Sequence, residues 1–143
     1  MKLYFDSAYV AKCYLNEPDG KAVRKLARSS SALYSSAWAI AELACVFLRH
    51  VRERALTNEA AAQMRGLFAQ DVADRVWRLL PVTDLLLHRV EAELRTFPAD
   101  TPLRAGDAVH LVTAREAGFG QIWTNDRHLL RAAPSFGIQG TSI

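Results

Sequence analysis

A chain of 143 residues, 50% hydrophobic and 23% charged, is long enough to bury a core without disulfide or metal staples. That composition excludes a disordered tail, a collagen-like fibre and a cystine-stapled mini-protein. Eighteen Lys and Arg against fifteen Asp and Glu leave a net charge of +3, compatible with a polyanionic partner but too small to demonstrate one. The two cysteines, Cys13 and Cys45, are not in a Cys-x-x-Cys spacing, so free, buried thiols in a reducing cytoplasm are expected. Asp6 falls where a signal peptide would enter its apolar stretch. The longest apolar run, residues 37–48, contains Glu42 and falls short of the ~20 residues a bilayer requires. The expectation is a cytoplasmic protein with no membrane partner.

In chain order, Leu3-Tyr4-Phe5 reads as a strand stopped by Asp6, with Ser7 capping a helix to about residue 15. Pro18-Asp19-Gly20 is punctuation, residues 21–28 a short basic helix, and residues 33–35 a second strand. Residues 38–54 form a strongly apolar helix whose last turn carries Arg49, Arg52 and Arg54, which suit the negative end of a helix dipole. Thr57 caps the next helix, with Ala60, Met64, Leu67, Phe68 and Val72 as its buried stripe. Residues 76–82 read as a buried strand. The helix over 83–97 carries Leu86, Val90, Leu94 and Phe97 on one face and a Glu91–Arg95 pair on another. Thr101-Pro102 predicts a helix start in the cap-then-proline arrangement, and that helix runs to Ala117 and stops at Gly118. A strand over 121–124, a helix over 126–133 and a last strand in the tail complete the chain. No repeat or linker divides it, so a single domain over 1–143 is expected. Strands separated by helices imply an α/β fold, with a parallel sheet covered on both faces. Ligands then bind beyond the carboxyl ends of the strands.

Four carboxylates stand where local structure does not require them. Asp6 follows the first strand, where a helix-capping aspartate is the plain alternative, although Ser7 also offers a cap. Glu42 has Trp38, Ala39, Cys45 and Val46 as its helical neighbours, so it is either desolvated at a cost of several kcal/mol or faces a cleft. Asp107 lies in the second turn of the helix that starts at Pro102, too far in to cap it, with Arg104 and His110 three residues away on either side. An ion pair with Arg104 is the plain alternative for Asp107, and packing or support of a neighbouring acid for His110. Asp126 closes Thr124-Asn125-Asp126 at the end of a strand, where a helix cap is the plain alternative. Brought together, carboxylates ~5 Å apart repel by roughly 3 kcal/mol per pair at an effective dielectric near 20. Such a set calls for a cation, and hard divalent ions take oxygen ligands and share phosphates with their substrates. The chemistry this points to is metal-assisted phosphodiester cleavage. No nucleophile elbow, phosphate-cradling glycine loop or His-Glu-x-x-His competes with it.

With an opening strand ending in Asp6-Ser7, a helical Glu42, the run Arg104-Ala105-Gly106-Asp107-Ala108-Val109-His110-Leu111, and Thr124-Asn125-Asp126, the chain resembles the PIN-domain ribonucleases. Among them it is most similar to the short VapC-type toxins of bacterial toxin–antitoxin pairs, from Leu3 to Gly137. The resemblance implies a three-layer α/β/α sandwich around a parallel β-sheet and a Mg²⁺- or Mn²⁺-dependent endoribonuclease. It assigns Asp6 and Asp107 as principal metal ligands and Glu42 and Asp126 as the remaining acids, with Ser7, Thr124 and Asn125 orienting ligands or waters. It further implies a homodimer, a cognate antitoxin whose tail occupies the acidic groove, and tRNA or ribosomal RNA as substrate. Gly106 stands where the family often has a larger residue.

Basic residues that could track phosphates fall in two groups, Lys12, Lys21, Arg24, Lys25 and Arg28, then Arg49, Arg52 and Arg54. Solvated helix faces account for each of them equally well. Trp38 and Tyr34 are expected to pack in the interior. A competing reading is a non-catalytic binding domain whose acidic groove docks a basic partner segment. A phosphoacceptor domain is a distant third reading, because position 8 is alanine and no lysine follows Lys25.

Overall fold

The computed structural model describes residues 1–143. Its strands are β1 (Lys2–Tyr4), β2 (Ala32–Ser36), β3 (Trp77–Leu80), β4 (Gln121–Trp123) and β5 (Gln139–Thr141). The α-helices are α1 (Ser7–Lys12), α2 (Gly20–Ser29), α3 (Ala39–Arg52), α4 (Asn58–Ala73), α5 (Asp84–Leu94), α6 (Ala105–Glu116) and α7 (Arg127–Ala132), the last followed by a 3₁₀ turn over Ala133–Phe136. All strand pairs are parallel, β1 with β2, β2 with β3, and β4 with β5. One parallel bridge between Phe5 and Trp123 carries the sheet from β1 across to β4. The strands therefore lie in the order β3-β2-β1-β4-β5, and the chain reverses its winding direction between β1 and β4.

Alternation along β1 shows how the layers form. Leu3 and Phe5 point into a cluster with Tyr9, Val10, Leu43, Phe47, Phe68 and Trp77, contributed by α1, α3, α4 and β3. Tyr4, on the opposite face of the strand, joins Leu86, Val90, Leu111, Val112, Ile122 and Leu129 from α5, α6, β4 and α7. Helices α1–α4 thus cover one face and α5–α7 the other, the three-layer α/β/α sandwich that the order of elements predicts.

Several local expectations need correction. The carboxylate of Asp6, rather than Ser7, caps α1, accepting from Tyr9 N–H at 2.9 Å, and α1 ends at Lys12 instead of residue 15. The helix expected from Thr101-Pro102 begins at Ala105. Asp107 is therefore in its first turn, where the carboxylate accepts from the Arg104 backbone N–H at 3.3 Å. An acid at the third helical position outcompetes the Thr-Pro start signal by satisfying a donor that no carbonyl reaches. Leu67 and Leu94, expected in buried stripes, are exposed. Thr57 and Thr83 cap α4 and α5 through their hydroxyls, and Glu91 pairs with Arg95 at 2.7 Å. Both thiols are free, but Cys45 is exposed rather than buried. No helix is long and apolar enough to cross a membrane.

Candidate active site

The switch of winding direction puts the carboxyl ends of β1 and β4 side by side, where an open α/β sheet leaves a crevice. Asp6 leaves β1 there, its N–H donating to the Trp123 carbonyl at 3.1 Å. Thr124-Asn125-Asp126 leaves β4 beside it. Helices α3 and α6 bring Glu42 and Asp107 over the same crevice. Asp6, Glu42, Asp107 and Asp126 all line one cleft, together with Ser7, Arg104 and His110.

Asp6 is the most constrained of the four. It is buried, and its carboxylate has only neutral partners, the Tyr9 N–H and the Thr124 hydroxyl. Burial pushes its carboxyl up to about 6, against the lowering pull of Thr124, His110 and Tyr9, while Asp126 adds a further upward push. No lysine or arginine compensates it. Thr124 is itself held, accepting from Asp126 N–H at 2.9 Å.

Glu42 is half-exposed and held from two sides. The Ser7 hydroxyl donates to Oε1 at 2.8 Å, and His110 Nε2 lies 2.8 Å from the same oxygen. A carboxylate only accepts, so Nε2 carries the proton, and the Tyr4 hydroxyl 3.0 Å from Nδ1 occupies the other ring nitrogen. Burial works to raise the Glu42 carboxyl, but the His110 and Ser7 hydrogen bonds and the Arg104 charge hold it below the usual range. His110 is 2% exposed. It is a positioning residue, one of the two roles its sequence position allows, and what sequence reasoning missed is the link from Tyr4 through the ring to Glu42. Only its place one turn after Asp107 on α6 could have pointed to it.

Asp107 and Asp126 share a cation. Arg104 Nε lies 3.3 Å from Asp107 Oδ2, and its Nη2 lies 2.7 Å from Asp126 Oδ2. The arginine side chain is 74% exposed, so it can swing away at little cost. Asp126 also caps α7, accepting from His128 and Leu129 N–H. The two plain alternatives, ion pair and helix cap, are therefore both realised without removing either acid from the cleft. No three acidic, histidine or cysteine side chains are gathered closely enough to enclose an ion as they stand, and the Arg104 guanidinium bridges two of the acids.

The structure does not bring Asn125 to this group. Its Oδ1 accepts from the Tyr9 hydroxyl at 3.0 Å, and its amide donates to Asp19. Asp19 in turn holds Lys12 at 2.8 Å. Asn125 therefore ties the turn after β4 to α1 and to the loop before α2. Gly106 has a steric reason. A Cβ there would lie 2.9 Å from Trp38 Nε1 and 3.1 Å from Glu42 Oε2, so the glycine lets α3 close on α6 beside the acids. Trp38 is 40% exposed on the cleft wall rather than packed inside. The apolar neighbours of Glu42 are that wall, which resolves the choice between a desolvated acid and one facing a cleft.

The donor set fits a hard divalent cation. It offers carboxylate oxygens from four elements, one of them buried without a counter-charge, in a cleft open to solvent. The chain is similar to several known proteins. Ribonuclease VapC46 of Mycobacterium tuberculosis (strain ATCC 25618 / H37Rv) is 29% identical over 140 residues, spanning 95% of this chain and 93% of that protein. Among solved structures, Mycobacterium tuberculosis VapC20, described as a Sarcin-Ricin loop cleaving toxin, superposes with a TM-score of 0.69 at 17% identity over 91% of this chain and 94% of that one. FitAB bound to an IR36 DNA fragment gives 0.70 at 16% identity, over 99% of this chain and 94% of that one. The profile of the PIN domain matches residues 3–134, and the chain belongs to the PIN-domain family.

Proposed function

We propose that residues 1–143 act as a single PIN domain, a divalent-metal-dependent endoribonuclease and the toxin of a toxin–antitoxin pair. The observation that carries this reading is the buried, uncompensated Asp6 carboxylate in a cleft with three further acids. Asp6, Glu42, Asp107 and Asp126 would hold Mg²⁺ or Mn²⁺, which would supply neutralisation of the phosphodiester and activation of water. The chain's own residues prepare that chemistry. Thr124 and Tyr9 N–H fix the Asp6 carboxylate, Ser7 and His110 fix Glu42, and Arg104 holds Asp107 and Asp126. In the reaction, a water oxygen bonds to phosphorus as the bond to the 3′ oxygen breaks. The leaving oxygen takes a proton, giving a 5′-phosphate and a 3′-hydroxyl.

The name of the relative at 29% identity supports RNA as the substrate; tRNA or ribosomal RNA is the proposed target. An antitoxin partner and a cytoplasmic setting are proposed with it, as the resemblance to VapC-type toxins implies. Exposed Ile40, Leu48 and Leu67 on α3 and α4 offer apolar surface for that partner or for a homodimer. The test is purified, partner-free protein on total bacterial RNA, with Mg²⁺ or EDTA, beside Asp6→Ala. Discrete fragments that vanish with EDTA and in the variant are expected. Fragments that persist in the variant would overturn the site, and intact RNA in every lane would favour a binding domain that docks a basic segment.

A further inference from the structure

Sequence alone leaves two groups of basic residues as equal candidates for phosphate contacts. The structure separates them. Lys12 is paired with Glu17 and Asp19 at 2.7 and 2.8 Å, and Arg24 donates to the Lys12 carbonyl at 3.1 Å. None of Lys21, Lys25, Arg28 or Arg54 lines the acidic cleft, whereas Arg49 and Arg52 do. The arginines that pair with carboxylates are Arg89, Arg95, Arg104 and Arg115. Arg49 and Arg52 pair with none and are exposed.

The placement follows from the helix. Trp38, Ala41 and Glu42, Cys45 and Val46, Arg49, and Arg52 recur every three or four residues, so they form one face of α3, and all of them line the cleft. At 1.5 Å per residue, Arg49 lies about 10 Å and Arg52 about 15 Å along the axis from Glu42. The cleft therefore has an acidic end, an apolar middle and a cationic end. A strand of stacked nucleotides rises about 3.4 Å per phosphate, so the two arginines stand a few phosphates from the acids. Cys45 and Val46 form the wall between them, while the half-exposed indole of Trp38, which suits the face of a base, stands one turn beyond Glu42 on the side away from the arginines.

We propose that this face of α3 is a binding track for single-stranded RNA, with Arg49 and Arg52 holding backbone phosphates flanking the one cleaved at the acids. The proposal rests on the nuclease reading above and adds to it the direction in which the substrate lies and the residues that hold it. Phosphate contacts of this kind carry affinity and salt dependence but no sequence information.

The test is the double variant Arg49→Ala/Arg52→Ala, with Arg49→Lys/Arg52→Lys as its conservative counterpart. On an RNA cleaved by the wild type in Mg²⁺, the alanine pair should raise KM about tenfold and leave kcat within about twofold. It should also flatten the dependence of log affinity on log salt by about 1.4, or ~0.7 for each lost single-strand contact. The lysine pair should restore most of the affinity. The melting temperature and its shift with Mn²⁺ should not change. Wild-type cleavage with an unchanged KM and salt slope in the alanine pair would overturn the track, as would a lowered melting temperature that accounts for the loss. If the wild type cleaves no RNA, the nuclease reading fails separately, and anisotropy of a labelled ten-nucleotide oligouridine decides the track. Binding that depends on the two arginines keeps it; no binding, or binding indifferent to them, overturns it. Loss of binding to a protein partner with RNA affinity intact would also count against it.

Discussion

The ends of β1 and β4 solve the same local problem in the same way and end up chemically opposite. Each finishes at an aspartate that caps a six-residue helix, Asp6 for α1 and Asp126 for α7. Asp126 is partly open to water and bridged to Arg104 at 2.7 Å. Asp6 is buried and has no cation, only Thr124 and a backbone N–H. Capping therefore says little about whether an aspartate does chemistry. What distinguishes Asp6 is charge taken out of water without compensation, a cost that persists only where something else binds.

Activity should break the symmetry most sharply. Asparagine caps a helix as well as aspartate does, so Asp6→Asn and Asp126→Asn both keep their helices. Asp6→Asn should lower RNA cleavage by more than the ~10–100-fold that follows loss of a supporting partner at a metal site. Asp126→Asn should lose less, because Asp107 remains to share its role. Equal losses, measured as kcat/KM, would mean that burial does not rank these acids.

Stability of the metal-free protein should move in the opposite sense. The Asp6 carboxyl is raised from 3.8 to about 6 in the folded protein. Its contribution therefore favours folding in full below pH 3.8 and is lost as pH rises through 6. At pH 8, Asp6→Asn should be more stable than the wild type by up to about 3 kcal/mol, and the difference should shrink as pH falls toward 4. Asp126→Asn breaks an exposed ion pair and should change stability by no more than ~1 kcal/mol. Urea titrations in EDTA from pH 4 to 8 measure both. A destabilised Asp6→Asn at pH 8 would contradict the comparison.

The smallest effect concerns Arg104, which gives Asp126 and Asp107 what Asp6 lacks. Arg104→Gln should tighten binding of Mn²⁺ without RNA by a fewfold, since each exposed ion pair that must be broken is worth ~0.2–1 kcal/mol. Calorimetric titration reads it directly. Weaker metal binding in the variant would show that the guanidinium supports the site instead of occupying it.

The sequence carried the layers because its strands are short β-rich runs and its helices have recognisable caps, as at Thr57 and Thr83. It carried the four acids as a set, two at strand ends and two in helices, although three of them also cap a helix. It misplaced Asp107 because Thr101-Pro102 reads as a helix start, whereas the Asp107 carboxylate caps the Arg104 backbone N–H and sets the start at Ala105. Arg104 bridging two acids, and His110 joining Tyr4 on β1 to Glu42 on α3, depend on contacts between residues 22 and 106 positions apart, and no periodicity encodes those. Asn125 differed for the same reason. Thr124 bonds Asp6 and Asp126 lines the cleft, but the Asn125 side chain between them finds Tyr9 and Asp19 instead.

The most direct test is the melting temperature of wild type, Asp6→Asn and Asp126→Asn in EDTA and in millimolar Mn²⁺. At a hundredfold excess over the dissociation constant, binding adds about 2.7 kcal/mol, a rise of roughly 5–10 °C for a chain of this size. That rise is predicted for the wild type, in reduced form for Asp126→Asn, and not at all for Asp6→Asn. A rise in Asp6→Asn as large as in the wild type would show that the ion, if one binds, does not bind at the buried carboxylate.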